Sequence, residues 1–253
     1  MHFHLPKPQH GWRALAGEVG IIVVGVLIAL AAEQLVESWH WRAQAADART
    51  ALRAEIGRDN LPQAYTRLAI GRCLSDKLDQ LDAALAADMA RPQFIKLAED
   101  YRPPNRGWDD EAWAAVIGTG VLSHGGPGEL INWSKPYRII VALRPKTQAE
   151  ADEAIDLAAI SPTVGAMTPA EADRTAMTLH RLRRHEEQIE ISSRVLIQEA
   201  RETGVLMTAA QQRQVLAQLR PEWGECVSAP DTTEIDLGTQ SDEPVRKATL
   251  KRS

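Results

Sequence analysis

Cys73 and Cys226 carry the most reactive side chains in the chain, and they are its only cysteines. Neither belongs to a C-x-x-C pair or has a histidine nearby, which disfavours redox catalysis and zinc binding. In an oxidising compartment we expect them to form a disulfide, because thiols there oxidise and persist as bridges. That bridge would close a long loop and stabilise the fold by about 4 kcal/mol. In a cytoplasmic domain they would instead be two buried free thiols.

The histidines are the next candidates for chemistry. His124 opens the string HGGPG, which is similar to the oxyanion loop of some α/β-hydrolases, but the G-x-S-x-G nucleophile elbow is absent from the sequence. A loop that ends a helix is the favoured interpretation. His180 and His185 lack the i, i+4 spacing of a helical metal site, and His2 and His4 form a weak pair without acids. We therefore expect no metal, no cofactor and no enzyme activity.

A mid-chain group of aromatic and acidic residues is the remaining candidate for binding. Its members are Trp108, Asp109, Trp113, Trp133 and Tyr137. Aromatic side chains around a few polar groups can line a ligand pocket or a partner surface. Packing in the core or under a loop is the alternative for the same residues. Phosphate loops, Walker motifs and calcium-binding loops are absent from the sequence.

An apolar run near the start of the sequence indicates whether the chain is attached to a membrane. The run VGIIVVGVLIALAA spans Val19 to Ala32, and apolar flanks extend it to residues 14–36. That length fits the roughly 20 residues of a transmembrane helix. Trp12 precedes the run, and Trp39 and Trp41 follow it, as in the aromatic belts of membrane interfaces. The sequence predicts a single-pass anchor in the bilayer of a bacterial inner membrane.

Two other interpretations of this run remain open. A secretory signal peptide has a similar basic leader and apolar length, but Glu33, Gln34 and Glu37 follow here without an obvious small-residue cleavage site. A buried core helix is the second alternative. Lysine and arginine are nearly balanced across the run, so its orientation is weakly determined. We expect residues 1–13 to be a cytoplasmic leader, 14–36 to be the transmembrane helix and the residues after about 37 to be periplasmic.

One face of this helix collects small residues and a carboxylate. Glu18, Gly25, Ala29 and Ala32 lie close together on a helical wheel. Gly25 and Ala29 form a small-xxx-small pair that permits close helix approach. This stripe predicts contact with a second copy or another membrane protein, with Glu18 directed at the partner. Alternatively, Glu18 only reaches the headgroup region.

The anchor resembles that of a family of uncharacterised bacterial single-pass membrane proteins. The matching residues are Gly17-Glu18-Val19, then the run Ile22 to Leu30, followed by Glu37 and Trp39. A looser match joins Trp113, Gly118 to Gly120, Val121-Leu122 and Tyr137 to a mid-chain block of that family. The resemblance covers about a third of the chain. It implies a cytoplasmic start and a helical extracytoplasmic domain, and it brings no activity.

Composition favours an all-α fold after the anchor. Aromatic residues are few, and the net charge of −5 gives no basic face for nucleic acid. Residues 37–226 are long enough to bury one core, whereas 227–253 are polar and predicted to be disordered. The expected architecture is one transmembrane helix followed by a helical bundle-like soluble domain.

Local signals place the helices of that domain. Asn60-Leu61-Pro62 indicates a helix start through a cap and an early proline. Thr168-Pro169-Ala170-Glu171 is a capping box that opens a helix reaching Glu202. Pro136 and Pro145 predict that the helix over 129–160 is kinked or split. A last helix is expected from Thr208 to about Leu219.

These features favour a non-enzymatic accessory or scaffold protein with an extracytoplasmic helical domain. A ligand-binding sensor module is the alternative, with the bundle as receptor. A pocket with convergent polar groups would favour the sensor, and an exposed apolar groove would favour the interaction protein. An enzyme is the least favoured class.

Overall fold

The computed structural model describes residues 12–160 and 165–231, and within them it is all-α, as predicted. The helices, in chain order, are α1 Trp12–Glu55, α2 Leu61–Ala86, α3 Arg91–Glu99, α4 Glu111–Thr119, α5 Glu129–Ala158, α6 Pro169–Glu202 and α7 Ala209–Trp223. Two short 3₁₀ turns span Val121–His124 and Gly224–Cys226. The chain therefore combines one very long first helix with a bundle built by those that follow.

Helix α1 has two parts with different surroundings. All described side chains from Ala16 to His40 are exposed, including large apolar ones such as Ile21 at 76%. Beyond them, Ala45, Ala48 and Leu52 follow one another in steps of three and four, a spacing that predicts one apolar face on the continuing helix. All three are buried against the bundle, as this spacing predicts. Among the described residues this is the one helix long and apolar enough to cross a membrane.

Helix α1 runs into α2 without a break, through a π-helical turn over Ile56–Asn60. The N–H of Leu61 donates to the carbonyl of Ile56, five residues back. The predicted cap at Asn60 is therefore wrong: Asn60 has helical backbone angles and makes no side-chain capping bond. Pro62, which has no N–H to donate, follows directly, and a local change of helical hydrogen bonding accommodates such a residue.

The bundle has two apolar cores stacked along α2, α5 and α6. The proximal core includes Leu52, Ile56, Tyr137, Leu143, Ile189 and Leu196, and the distal core includes Leu74, Leu78, Phe94, Leu157, Leu179 and Leu182. Early α5 and late α6 lie in the proximal core, whereas late α5 and early α6 lie in the distal core. Helix α6 therefore runs antiparallel to both neighbours, and α7 packs against α2.

Several local predictions can be compared with the structure. The capping box at Thr168 is present, because the Thr168 hydroxyl accepts from the Glu171 N–H and the Glu171 carboxylate accepts from the Thr168 N–H. A second box caps α7 at Thr208. Helix α5 contains Pro136 and Pro145 without being split. The short α3 was not predicted, because Pro92 in its first turn and Pro103-Pro104 shortly after its end are typical of a connection between helices.

The predicted disordered tail, residues 227–253, includes residues that are packed in the structure. Val227 is buried in the distal core, and the Ser228 N–H donates to the carbonyl of Ala69 on α2 at 3.2 Å. Residues 227–231 therefore belong to the folded domain, because they continue the packing of α7 on α2. Residues 232–253 and the leader up to residue 11 lie outside the described residues.

Candidate functional site

The mid-chain aromatic group lies mostly in the proximal core. Trp108, Trp133 and Tyr137 are buried, and Trp113 stacks on Tyr137 with ring centroids 4.9 Å apart. Asp109 is the exposed member. Burial raises the pKa of the Tyr137 hydroxyl, which donates to a carboxylate oxygen of Glu55 at 2.8 Å. The structure brings the aromatic residues together as packing between α1, α4 and α5.

The two cysteines form a disulfide in the structure, as expected. Their Cα atoms are 5.3 Å apart across a sequence separation of 153 residues. Cys73 lies in α2, and Cys226 ends the turn that follows α7. The bridge therefore holds the end of α7 against the middle of α2, in the distal core.

The HGGPG string forms a loop between a 3₁₀ turn and α5. The His124 ring stacks on Trp41 with centroids 4.0 Å apart. Arg49 pairs with both carboxylate oxygens of Glu129 at the start of α5, and the Arg49 Nη2 to Oε2 distance is 2.7 Å. A Cβ at Gly125 would lie 1.8 Å from a Glu129 oxygen. The loop ties α1 to α5, and its glycine leaves space for this ion pair.

The small-residue stripe on α1 has no neighbour within the described chain. Glu18, Gly25, Ala29 and Ala32 are all exposed. A Cβ added at Gly25 would meet nothing within 4 Å. The face is open to whatever surrounds α1.

A buried layer of charged residues separates the two cores and was not predicted. Arg67 of α2 and Glu150 of α5 form an ion pair with Nη2 to Oε1 at 2.7 Å, and both side chains are at most 2% exposed. The Tyr101 hydroxyl donates to the same Glu150 oxygen at 3.4 Å. Glu186 of α6 is also buried beside them. We call Arg67, Tyr101, Glu150 and Glu186 the polar layer.

The charges of the polar layer do not balance when both acids are ionised. Burial, helped by the nearby carboxylates of Glu150 and Glu190 and opposed by Arg67 and Arg183, raises the pKa of Glu186 to about 7. Burial and Glu150 likewise raise the pKa of Tyr101 well above its usual value. Glu186 therefore changes charge near neutral pH, and it borders a cavity of about 550 Å³.

The sequence contained a signal for this layer. Leu179, Leu182, Glu186, Ile189, Ser193 and Leu196 alternate in steps of three and four along α6, and all are buried. Glu186 and Ser193 are thus polar residues within an apolar helical stripe. The pattern indicates burial of Glu186, but it does not identify the partners on α2 and α5.

A cleft of about 320 Å³ opens beside the polar layer, between α2, α7 and residues 102–106. Arg67, Arg102 and Arg106 line it, with Glu222 as the one carboxylate among its lining residues. Gln63 donates from Nε2 to the Arg106 carbonyl at 2.8 Å and holds the loop against α2. We call this the arginine cleft. Arg67 is paired with Glu150, so the exposed guanidinium groups of Arg102 and Arg106 give the cleft the chemistry of an anion site.

The described residues contain no group of three or more His, Cys, Asp or Glu side chains that could hold a metal ion. His180 is exposed and His185 is half-buried, with His185 Nε2 3.6 Å from a Glu153 oxygen.

Searches with family models, curated proteins and solved structures find no match to this chain.

Proposed function

We propose that this chain is a single-pass membrane protein whose helical domain lies outside the cytoplasm and acts by association, without enzyme activity. One observation carries the proposal: the apolar residues of α1 from 16 to 40 are all exposed, whereas the apolar stripe that continues the same helix is buried. Exposed apolar surface of this extent is costly in water. A bilayer removes that cost, because about 20 helical residues match its hydrocarbon thickness.

The disulfide supports a periplasmic location for the bundle. Disulfides persist in oxidising compartments and are rare in the reducing cytoplasm. The Cys73–Cys226 bridge is within the bundle, so the bundle and the leader would lie on opposite sides of the inner membrane. The resemblance of the anchor to a family of bacterial single-pass proteins supports the same topology.

Alkaline phosphatase fused after Ser253 tests this topology, because the enzyme folds only where its own disulfides form. We expect an active fusion, with a matched green fluorescent protein fusion dark in the periplasm. An inactive phosphatase fusion of well-expressed protein would reverse the topology and remove the argument from the disulfide.

Association in the membrane is assigned to the stripe of Glu18, Gly25, Ala29 and Ala32. Because nothing covers Gly25 within the described chain, a second helix can approach there closely. Gly25→Ile should weaken self-association or partner capture in mild detergent. Gly20→Ile is the matched control, since Gly20 is also open but lies about 140° around the helix. Equal association of both variants and the unaltered chain would discard the stripe.

A ligand-binding module is the second candidate function, and the arginine cleft favours it. Convergent polar groups beside a buried charge layer are typical of small-molecule sites. An enzyme finds less support. The raised pKa of Glu186 is explained by its burial next to Glu150, which is a structural cause that requires no reaction.

A further inference from the structure

We propose that the arginine cleft binds a small, freely diffusing organic anion that presents a carboxylate or phosphate group to Arg102 and Arg106. This inference rests on the second candidate function and gives it a ligand class. It does not depend on which protein, if any, associates with α1.

The guanidinium groups of the cleft have unused hydrogen-bonding capacity. Arg102 donates from Nε to the Glu99 carbonyl at 2.7 Å, and neither Arg102 nor Arg106 forms an ion pair within the described residues. Arg67 donates a hydrogen bond from Nη2 to Glu150, while its buried Nη1 has no hydrogen-bond partner. Buried donors are normally satisfied, and arginine pairs with oxyanions through two parallel N–H bonds. The cleft therefore has the donors for one oxyanion.

The wall of the cleft is partly apolar. Val215, Leu219 and Trp223 of α7 line it together with Pro104, next to the polar Gln218 and Glu222 of the same helix. An inorganic ion would leave this wall in contact with water, whereas an organic anion would cover it. A volume of about 320 Å³ is at the lower end of small-molecule sites, which span roughly 300–1,000 Å³. The fitting ligand is compact, with an anionic end and an apolar body.

The position of the cleft along the continuous helix α1–α2 argues against a lipid headgroup as the ligand. Gln63, at the cleft, follows Trp39, at the predicted membrane interface, by 24 residues of that helix. At 1.5 Å per residue that separation is about 36 Å along the helix. A headgroup in the anchoring bilayer lies too far away, so the anion must come from solution.

Substitution of Glu222 is expected to strengthen anion binding, whereas substitution of the cleft arginines is expected to weaken it. The Glu222 carboxylate lines the cleft and is exposed, without an ion pair among the described residues. It repels an entering anion and competes for the arginines. Glu222→Gln should therefore tighten binding, whereas the double variant Arg102→Gln/Arg106→Gln should weaken it. Both arginines are exposed, so the double variant should fold.

The experiment measures 4-fluorobenzoate binding to the full chain in neutral detergent, from broadening of the fluorine resonance, with inorganic phosphate as competitor. The control is Arg138→Gln/Arg213→Gln, which changes net charge equally at exposed arginines outside the cleft. We expect at least tenfold weaker binding in the cleft double variant, little change in the control and tighter binding in Glu222→Gln.

Three results would overturn the inference. The first is no broadening at millimolar probe beyond that of empty micelles. The second is equal weakening in the cleft and control double variants, which would indicate general charge attraction. The third is binding through the cleft arginines only of phosphatidylglycerol nanodiscs and not of the free probes. Because binding is read without any partner protein, a failed association through α1 would leave these outcomes unaffected.

Discussion

The buried ion pair of Arg67 and Glu150 is the position where a single substitution should destabilise the bundle most. Both side chains are almost completely inaccessible, so removing one charge leaves the other buried without a partner. Such a change costs about 3–5 kcal/mol, whereas replacing both charges with apolar groups is often nearly neutral. We expect Glu150→Leu to lower the free energy of unfolding by that amount, and Arg67→Met/Glu150→Leu to recover most of it.

Urea unfolding followed by circular dichroism measures this coupling. The control is Arg72→Met/Asp76→Leu, because that exposed pair is 3.9 Å apart one turn along the same helix. Exposed pairs contribute about 0–1 kcal/mol. A double variant in the polar layer that is as unstable as Glu150→Leu alone would show that Arg67 is needed for more than charge balance.

Glu186 should make stability depend on pH between about 4.5 and 7. Its pKa rises to about 7 in the fold, so the folded state binds a proton that the unfolded state has released. The contribution is fully present below the unfolded pKa and is lost as pH rises through the folded value. The loss amounts to roughly 3 kcal/mol. Glu186→Gln should therefore flatten the profile above pH 4.5.

Glu187→Gln is the matched control, because Glu187 is the exposed neighbour on the same helix. Thermal unfolding midpoints at closely spaced pH values give the comparison. A slope that survives in Glu186→Gln would assign the pH dependence to a group other than Glu186.

At the scale of elements, the π-helical turn positions the Asn60 side chain for contact with a distant segment. The side-chain amide of Asn60 donates to the Asp109 carbonyl at 2.9 Å and accepts from the Asp109 N–H at 3.1 Å. The turn thus presents one side chain to the backbone just before α4. Asn60→Ala removes the partners of the Asp109 N–H and carbonyl, which are only partly buried, so we expect a cost near the lower end of the about 1–3 kcal/mol for each unsatisfied buried group.

Hydrogen exchange at the amide of Asp109 tests this role directly. We expect much faster exchange in Asn60→Ala and no change in Asp59→Ala, whose side chain is exposed in the same turn. Unchanged protection in Asn60→Ala would mean that the segment before α4 is held by other contacts, such as the Arg144 bond to the Trp108 carbonyl.

The helices also show which features the sequence predicts and which it does not. Periodic signals within one helix succeeded, as for the buried stripe of α1 and the capping box of α6, because they depend on neighbours along the chain. The π-helical turn was missed, since Asn60 and Pro62 carry the same letters as a helix start. The side chain that the turn presents, Asn60, bonds to a partner 49 residues away, at Asp109, which a local pattern cannot show. The polar layer and the arginine cleft were missed for the same reason, because each joins elements distant in sequence.

At the scale of the whole molecule, one covalent bond adds to the packing of the distal core. The Cys73–Cys226 disulfide lies there and closes a loop that contains α3 to α7. Removing a native disulfide typically costs about 2–5 kcal/mol, mainly by freeing the unfolded chain. Cys73→Ser/Cys226→Ser should therefore unfold at lower urea concentration than the oxidised full chain.

Reduction of the unaltered chain gives an independent measurement of the same quantity. Dithiothreitol should lower its urea midpoint to that of the double serine variant and should leave the variant unchanged. The distal core should open first, because the bridge, Val227 and the bond from Ser228 to Ala69 all lie there. Equal midpoints before and after complete reduction would show that the packing of α7 on α2 holds without the bridge, and a reducing compartment would then be compatible with the fold.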